Sequence, residues 1–107
     1  FVLPEATVKT EPSWFGFPLT IKHETSLDRN ELLQHLDSKK IGTRLLFAGN
    51  VTRQPYMTNK NYRIHGKLVN TENVMHNTFW TGIWPGVTTE MLDYIADTIH
   101  KFAVSQS

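Results

Sequence analysis

The sequence contains no cysteine among its 107 residues. This absence excludes a disulfide framework, a thiol nucleophile and any thiolate-bound metal or iron–sulfur cluster within the segment. No apolar run approaches the length of about 20 residues that a membrane-spanning helix requires, and the first residues lack the pattern of a signal peptide. The formal net charge is only +1, which argues against nonspecific binding to nucleic acid or anionic lipid.

Motifs for phosphate, metal and acyl-transfer chemistry are also missing. Gly82 and Gly86 flank Trp84 and Pro85, a spacing that matches neither a dinucleotide-binding loop nor a P-loop. No Ser–His–Asp set can be assembled from the sequence. No pair of histidines has the i, i+4 spacing of a helical zinc site, so we expect no metal site and ordinary surface or partly buried histidines at all five positions: His23, His35, His65, His76 and His100.

The composition is that of one ordinary globular domain covering residues 1–107. Hydrophobic residues make up 39% of the chain and charged residues 20%, which is typical of soluble domains with a real core. The sequence begins at Phe1 and not at methionine. We interpret this start as a cut inside a longer protein, so the chain is expected to be a fragment.

Alternating apolar residues predict a first strand from Trp14 to Lys22. Pro18 lies within it and favours an edge position, because proline cannot donate a ladder hydrogen bond. The alternation predicts that one face carries Phe15, Phe17, Leu19 and Ile21.

Two helices are predicted from capping signals and helical spacing. Asp28 with Glu31 resembles a capping box for a helix over residues 28–40, and Gly42 is a plausible left-handed stop. Thr88 is expected to cap a final helix. The apolar stripe of that helix consists of Met91, Leu92, Ile95, Ile99 and Phe102.

The remaining elements complete a small α/β domain. Residues 56–69 are irregular, and Tyr62–His65 is either a short strand or a loop of modest order. A short helix is predicted over Thr71–Asn77, and a strand over residues 79–84 with alternating faces. The order predicts a two-layer sandwich, in which helices cover one face of a small, mostly antiparallel sheet. Three aromatic residues of the last strand are expected in the core, in preference to the alternative of a ring-stacking platform: Phe79, Trp80 and Trp84.

The run Ile41–Pro55 is the best candidate for a site. It begins as a short apolar strand, Leu45 to Phe47, and breaks into a polar loop, and strand ends often carry functional side chains. Arg44 within the strand either pairs with a carboxylate or faces a ligand cleft. The loop is either a turn that hydrogen-bonds to itself or, as we slightly favour, a ligand-facing surface formed by Asn50, Thr52, Arg53 and Gln54.

Three segments together resemble a known enzyme family. They are Trp14–Lys22, Ile41–Pro55 and Asn77–Gly86 with the following Thr89–Tyr94. In this order and spacing they resemble the C-terminal part of the DegT/DnrJ/EryC1/StrS family of sugar aminotransferases and dehydratases. Within the family, the resemblance is closest to the branch of CDP-4-keto-6-deoxyglucose 3-dehydrases of lipopolysaccharide O-antigen biosynthesis.

The resemblance implies a fold-type-I enzyme dependent on pyridoxal or pyridoxamine phosphate, of which this chain is the small C-terminal domain. It also implies a cytoplasmic homodimer that acts on a nucleotide-linked 4-keto-6-deoxy sugar. The missing large domain would hold the cofactor, and in the dehydrase branch a histidine replaces the Schiff-base lysine. A partner reductase and a [2Fe–2S] cluster complete the deoxygenation in that branch, but this chain has no cysteine to hold a cluster.

Residue by residue, the resemblance implies a substrate-side role and no catalytic residue in this chain. The matching positions are Arg44, Phe47, Asn50, Arg53 and Gln54, with Tyr62 and His76 as weaker candidates. The isolated fragment is then expected to be inert. Two alternatives stay open: the C-terminal domain of a nucleotide-sugar aminotransferase, and a freestanding ferredoxin-like ligand-binding module.

Overall fold

The computed structural model describes residues 1–106, which form a three-stranded antiparallel sheet and three α-helices. The strand order is β1-β3-β2, so the last strand in sequence lies in the centre. This architecture confirms the predicted small α/β fold. Among these residues, no helix is long and apolar enough to cross a membrane. In chain order the elements are β1 (Gly16–Thr20), α1 (Arg29–Ser38), β2 (Thr43–Leu45), α2 (Val69–Asn77), β3 (Thr78–Gly82) and α3 (Thr89–Ser105).

The β1 strand lies at an edge of the sheet, as the proline within it predicted. Pro18 has no N–H group, and an edge strand does not require one at every position. The N-terminal segment pairs at one point with the edge of β1 that is not paired with β3. There Val2 and Thr20 exchange two backbone hydrogen bonds of 2.8 and 3.1 Å, which anchors the N-terminal residues to the sheet.

The strand register divides the side chains between two faces. Leu19 lies opposite Phe79, and both are buried on what we call the inner face. Pro18 and Arg44 both lie opposite Trp80, one on each side of it. These three residues alternate with the buried ones, and they define the outer face.

The hydrophobic core lies between the inner face and helices α1 and α3. The side chain of Asp28 accepts a hydrogen bond of 2.9 Å from the backbone N–H of Glu31, which confirms the predicted cap of α1. The cap fixes the start of a helix whose apolar stripe faces the sheet. The fully or nearly buried core residues are Leu19, Ile21, Leu32, Leu36, Ile41 and Phe79.

Helix α3 covers the inner face less completely. Thr88 caps it, as predicted, by accepting a hydrogen bond of 3.3 Å from the N–H of Met91. Ile95 and Ile99 pack against the core, whereas Met91 and Leu92 at the start of the helix are exposed. An apolar cavity of about 610 Å³ separates this helix from the sheet.

Two predictions about aromatic residues are wrong: the buried face for Phe15, and the core location of Trp80 and Trp84. Phe15 was expected on the buried face, but β1 begins only at Gly16, and the ring of Phe15 contacts Trp80 on the outer face. Of the three aromatic residues expected in the core, only Phe79 is there. Trp80 is half-buried on the outer face, because alternation along a strand places neighbouring residues on opposite faces. Trp84 lies beyond the end of β3 at Gly82 and is exposed.

Several predicted boundaries also shift. The left-handed residue after α1 is Lys40, with φ of 62°, and not Gly42. The predicted strand Leu45–Phe47 ends at Leu45. Helix α2 begins at Val69, two residues before the predicted start, and Tyr62–His65 is a loop without strand structure.

Candidate functional site

The chain changes direction sharply after β2. Phe47 adopts a left-handed backbone conformation with φ of 47°, and Gly49 does the same with φ of 59°. Two backbone hydrogen bonds between residues close in sequence stabilise this bend. Phe47 N–H donates to Leu45 O at 2.9 Å, and Gly49 N–H donates to Leu46 O at 3.0 Å. We call residues 46–54, which follow the strand, the polar loop.

Gly49 is required by both its conformation and its surroundings. A Cβ atom at this position would lie 2.8 Å from the side-chain Cγ of Met75 on α2. Because a left-handed conformation is unfavourable for other L-residues, any larger side chain would be strained as well as crowded. The polar loop is thereby packed against α2.

Asn50 organises the loop from within. Its side chain is buried, with 2% exposure, and it caps the 3₁₀ turn Val51–Arg53. The side-chain Oδ1 accepts hydrogen bonds from the N–H of Thr52 at 3.0 Å and from its hydroxyl at 2.7 Å. The Nδ2 group donates to Glu72 on α2. The hydrogen-bonding capacity of Asn50 is therefore largely used inside the protein.

Glu72 joins the polar loop to α2, and the sequence interpretation did not include it. Its Oε1 accepts a hydrogen bond of 2.9 Å from Nε of Arg53. Its Oε2 lies 3.3 Å from Nε2 of His76, one helical turn further on. The hydrogen bond from Arg53, followed by that from Asn50, lowers the pKa of Glu72. The i, i+4 spacing of Glu72 and His76 on a predicted helix was the available signal for this contact.

Arg53 and Gln54 complete the loop in different ways. Arg53 is exposed, and its ion pair uses only Nε, so both Nη groups retain their donors. The hydrogen bond to Glu72 raises the pKa of Arg53 further above its ordinary value. Gln54 Nε2 donates to the carbonyl of Ala48 at 2.8 Å. Of the two interpretations of this loop, the turn that hydrogen-bonds to itself fits Asn50, Thr52 and Gln54. Contact of these residues with a ligand stays a prediction.

Arg44 has no carboxylate within ion-pairing distance among residues 1–106. Its guanidinium donates only to the carbonyl of the adjacent Thr43, at 3.0 Å. The side chain is exposed on the outer face of the sheet. Of the two interpretations of this residue, pairing with a carboxylate does not occur within the described chain, and a ligand-facing role stays open.

Next to Arg44, two phenylalanine rings contact one indole, and we call these three residues the aromatic row: Phe15, Trp80 and Phe47. Trp80 is the central ring, and each phenylalanine ring centroid lies 5.3 Å from that of Trp80. Both phenylalanines are exposed, Phe15 by 79% and Phe47 by 83%. Phe47 was a predicted site residue, whereas Phe15 and Trp80 were assigned to the core. Only the packing of the outer face unites the three.

The two weaker candidates lie apart from this row. Tyr62 is exposed in the irregular segment that precedes α2. His76 pairs with Glu72 and, with His23 and Leu68, lines a shallow depression of about 370 Å³. Within residues 1–106, no three His, Asp or Glu side chains converge on a point where a metal ion could bind.

The sequence relationship of the chain covers nearly its full length. Residues 1–100 match the sequence model of the DegT/DnrJ/EryC1/StrS aminotransferase family. The chain belongs to this family. It is 57% identical over 94% of its length to the lipopolysaccharide biosynthesis protein RfbH of Salmonella typhimurium. It is 44% identical over 99% of its length to dTDP-4-dehydro-2,6-dideoxy-D-glucose 3-dehydratase of Saccharopolyspora spinosa.

Solved structures of another member share the fold. GDP-4-keto-6-deoxy-D-mannose 3-dehydratase of Escherichia coli, with bound hydrated PLP, is similar at a TM-score of 0.78 and 26% identity over 91% of this chain. A mutant of the enzyme with bound GDP-perosamine gives the same values. The chain spans 23% of each curated relative named above and 25% of each of these structures.

Proposed function

We propose that this chain is the C-terminal domain of a pyridoxamine- or pyridoxal-phosphate-dependent 3-dehydratase that acts on a nucleotide-linked 4-keto-6-deoxy sugar. The observation that carries the proposal is the 44% identity, over 99% of the chain, to an enzyme named as a sugar-nucleotide 3-dehydratase. The similarity to RfbH supports a place in lipopolysaccharide biosynthesis. A cytoplasmic homodimer, a partner reductase and a [2Fe–2S] cluster belong to the same proposal for the longer enzyme.

The residues of this chain do not fit a cofactor site of that kind. A lysine that forms a Schiff base is activated by desolvation or by a neighbouring charge, and every lysine here is exposed. His35 is half-buried, but it lies against Phe102 between α1 and α3. We therefore assign no step of the cofactor chemistry to this chain and place the cofactor in the part of the enzyme outside it.

In the proposed enzyme this domain contributes the substrate side of the cleft. Arg44 and Arg53 supply exposed guanidinium groups, which suit the diphosphate of a sugar nucleotide. Phe47 offers an exposed ring in contact with Trp80. Asn50 and Gln54 act mainly by holding the polar loop in shape, since their side chains bond to Glu72, Thr52 and Ala48.

The decisive experiment is turnover by the full-length enzyme, supplied with pyridoxamine phosphate, a nucleotide-linked 4-keto-6-deoxy sugar, and the proposed partner reductase with its electron donor, since replacing the 3-hydroxyl by hydrogen consumes two electrons. Loss of the 3-hydroxyl, detected by mass spectrometry of the product, is the expected result. An amino sugar formed with glutamate as donor would instead identify an aminotransferase. Absence of both products with CDP-, dTDP- and GDP-linked substrates would refute the proposed function.

The role of Arg44 is tested in the same assay with Arg44→Gln. Removing a charge-assisted hydrogen bond costs about 1.5–3 kcal/mol, so kcat/KM should fall by about 10- to 100-fold. Arg63→Gln is the matched control, because Arg63 is an exposed arginine in the irregular segment. Equal effects of the two substitutions would contradict a specific role for Arg44.

The location of the cofactor is tested with the 107-residue chain alone. Added pyridoxal phosphate should keep the absorbance spectrum of the free compound, because the exposed lysines provide no enclosed pocket. The full-length enzyme should give a shifted spectrum under the same conditions. Tight stoichiometric binding by the short chain would disprove the placement of the cofactor outside it.

A further inference from the structure

The aromatic row and Arg44 together form a surface that neither the family match nor the names of the relatives assign. We infer that this surface binds the nucleoside diphosphate part of the substrate, with the base on the aromatic row and the diphosphate at Arg44. The inference rests on the proposed function, since it concerns the same sugar nucleotide. It adds Phe15 and Trp80 to the proposed substrate-binding residues. It also assigns the base to the aromatic rings and the diphosphate to the guanidinium group of Arg44.

The geometry of the row favours a planar ligand. The rings of Phe15 and Phe47 both contact the indole of Trp80 in edge-to-face geometry, at interplanar angles of 65° and 83°. Trp80 is fixed against the backbone of Gly16, where an added Cβ would lie 3.1 Å from the indole. The rings of Phe15 and Phe47 are exposed, whereas Trp80 between them in the row is packed against Gly16. Such aromatic surfaces bind nucleic-acid bases by stacking, with little dependence on base identity.

Arg44 places a positive charge beside the rings. It lies directly opposite Trp80 in the strand register, and within the described chain it forms no ion pair. A groove of about 340 Å³ runs along this surface, which is within the range of small-molecule sites. The residues that line the groove include Phe15, Gly16, Thr43, Arg44, Trp80 and Gly82.

The backbone at Phe47 supports a ligand-binding role for its ring. A bulky residue with φ of 47° is unusual, and such conformations cluster at functional sites. Glycine would adopt this conformation without strain. The ring itself is 83% exposed, so burial in the domain core does not explain the phenylalanine.

The combination of rings and charge favours a nucleotide over an apolar protein surface. A protein surface that covered the aromatic row would also desolvate Arg44, and an unpaired buried charge is costly. A nucleoside diphosphate provides a flat base and an anion within one molecule. It therefore satisfies both parts of the surface at once.

The test uses the full-length enzyme and three probes: CDP, cytidine and pyrophosphate, with dTDP and GDP and their nucleosides as parallel series. Affinities are measured by isothermal titration calorimetry. The ring variants should weaken binding of both cytidine and CDP; they are Phe47→Gly, Phe47→Ala and Phe15→Ala. For the two Phe47 variants the expected loss of affinity is about tenfold. Arg44→Gln should weaken binding of CDP by about tenfold or more, and should leave the affinity for cytidine unchanged.

Two controls separate ligand binding from packing. Tyr56→Ala removes an aromatic side chain of similar exposure outside the row, and Arg63→Gln removes an exposed arginine. Both should leave the nucleotide affinity unchanged. Phe47→Gly is the most informative variant, because it removes the ring and also relieves the backbone strain.

The outcomes distinguish this inference from the proposed function. If the wild-type enzyme dehydrates its substrate but the ring and Arg44 variants keep their nucleotide affinity, the inference is wrong and the proposed function stands. If the ring variants lose cofactor and unfold at lower temperature without a selective loss of nucleotide affinity, the row is a packing surface and the inference is again wrong. If the wild-type enzyme neither binds a nucleotide nor dehydrates a sugar, both are wrong.

Discussion

The two faces of the sheet use the same strands but differ in what covers their side chains. On the inner face, Leu19 and Phe79 are buried under α1 and α3. On the outer face, Phe15 and Phe47 are exposed by 79% and 83%. Adjacent aromatic residues of β3, Phe79 and Trp80, therefore have different roles. The inner face therefore stabilises the domain, whereas the outer face leaves aromatic rings exposed in the described chain, as interaction surfaces do.

The largest effect is expected from Phe79→Ala on the inner face. Removing a fully buried phenylalanine costs about 3–5 kcal/mol, a large fraction of the 5–15 kcal/mol that stabilises a typical domain. Phe15→Ala makes the same chemical change on the outer face, where only a ring contact worth about 0.5–1.5 kcal/mol is lost. Urea unfolding of the two variants measures both losses of unfolding free energy. Equal losses would remove the distinction between the faces.

A smaller effect is expected from Gly49→Ala, which tests how firmly the polar loop is attached beside the outer face. The left-handed backbone should cost about 1–3 kcal/mol, and crowding against Met75 adds to it. Gly66→Ala is the matched control, since Gly66 has φ of 68° with open space around its Cβ position. The difference between the two unfolding free energies isolates the contact with Met75. Equal values would show that the loop does not pack on α2.

Asn50→Ala tests the hydrogen bonds within the loop. Because the side chain is buried and bonded to Thr52 and Glu72, its loss should cost about 1–3 kcal/mol. Asn61→Ala, at an exposed position, should change stability by less than about 0.5 kcal/mol. In the full-length enzyme, Asn50→Ala should raise KM through disorder of the loop. An unchanged thermal midpoint would contradict the structural role.

The smallest effect concerns the pH dependence of the loop. The pKa of Glu72 is lowered in the folded state, chiefly by the hydrogen bond from Arg53. Its stabilising contribution is therefore present above the pKa of the unfolded carboxyl, and it is lost as the pH falls through the lower, folded value. The stability difference between wild type and Glu72→Gln, measured by thermal unfolding from pH 7 to pH 3, should shrink towards acid pH.

Arg53→Gln sharpens the same measurement, since it removes the largest cause of the shift. The pH dependence should become weaker, because the Glu72 carboxyl then keeps only Asn50 and His76 as partners. A pH profile that is identical in wild type and Arg53→Gln would disprove the coupling.

Local signals predicted most of the secondary structure. The caps at Asp28 and Thr88 and the edge position of Pro18 follow from short-range chemistry, and the structure confirms all three. Errors arose where a long-range contact overrode the local pattern. Phe15 continues the alternation of β1 in sequence, but its ring packs on Trp80 instead. A second error is local: left-handed backbone was expected at Gly42, but Lys40 adopts it, and Ile41 N–H donates to Leu36 O at 2.9 Å as the chain leaves α1.

The candidate site shows the same division. From sequence, Ile41–Pro55 was identifiable as a polar run after a strand, and Arg44 as a charge within a strand. The partners of these residues were not, because Glu72 lies 19 residues beyond Arg53 and becomes its neighbour only when α2 folds against the loop. Trp80 becomes a neighbour of Phe15 and Phe47 only through the order of the strands.

Periodicity and composition were enough to predict the fold class and to exclude cysteine-based chemistry. The family was predicted from the resemblance of three segments, and the match over residues 1–100 confirms it. Only the tertiary structure decided which polar residues are used internally and which stay exposed. Asn50 is buried and bonded, whereas Arg44 next to the aromatic row has no charged partner within the described chain. The physical reason is that hydrogen bonding and burial depend on neighbours in space, and here strand pairing and the packing of α2 supply those neighbours.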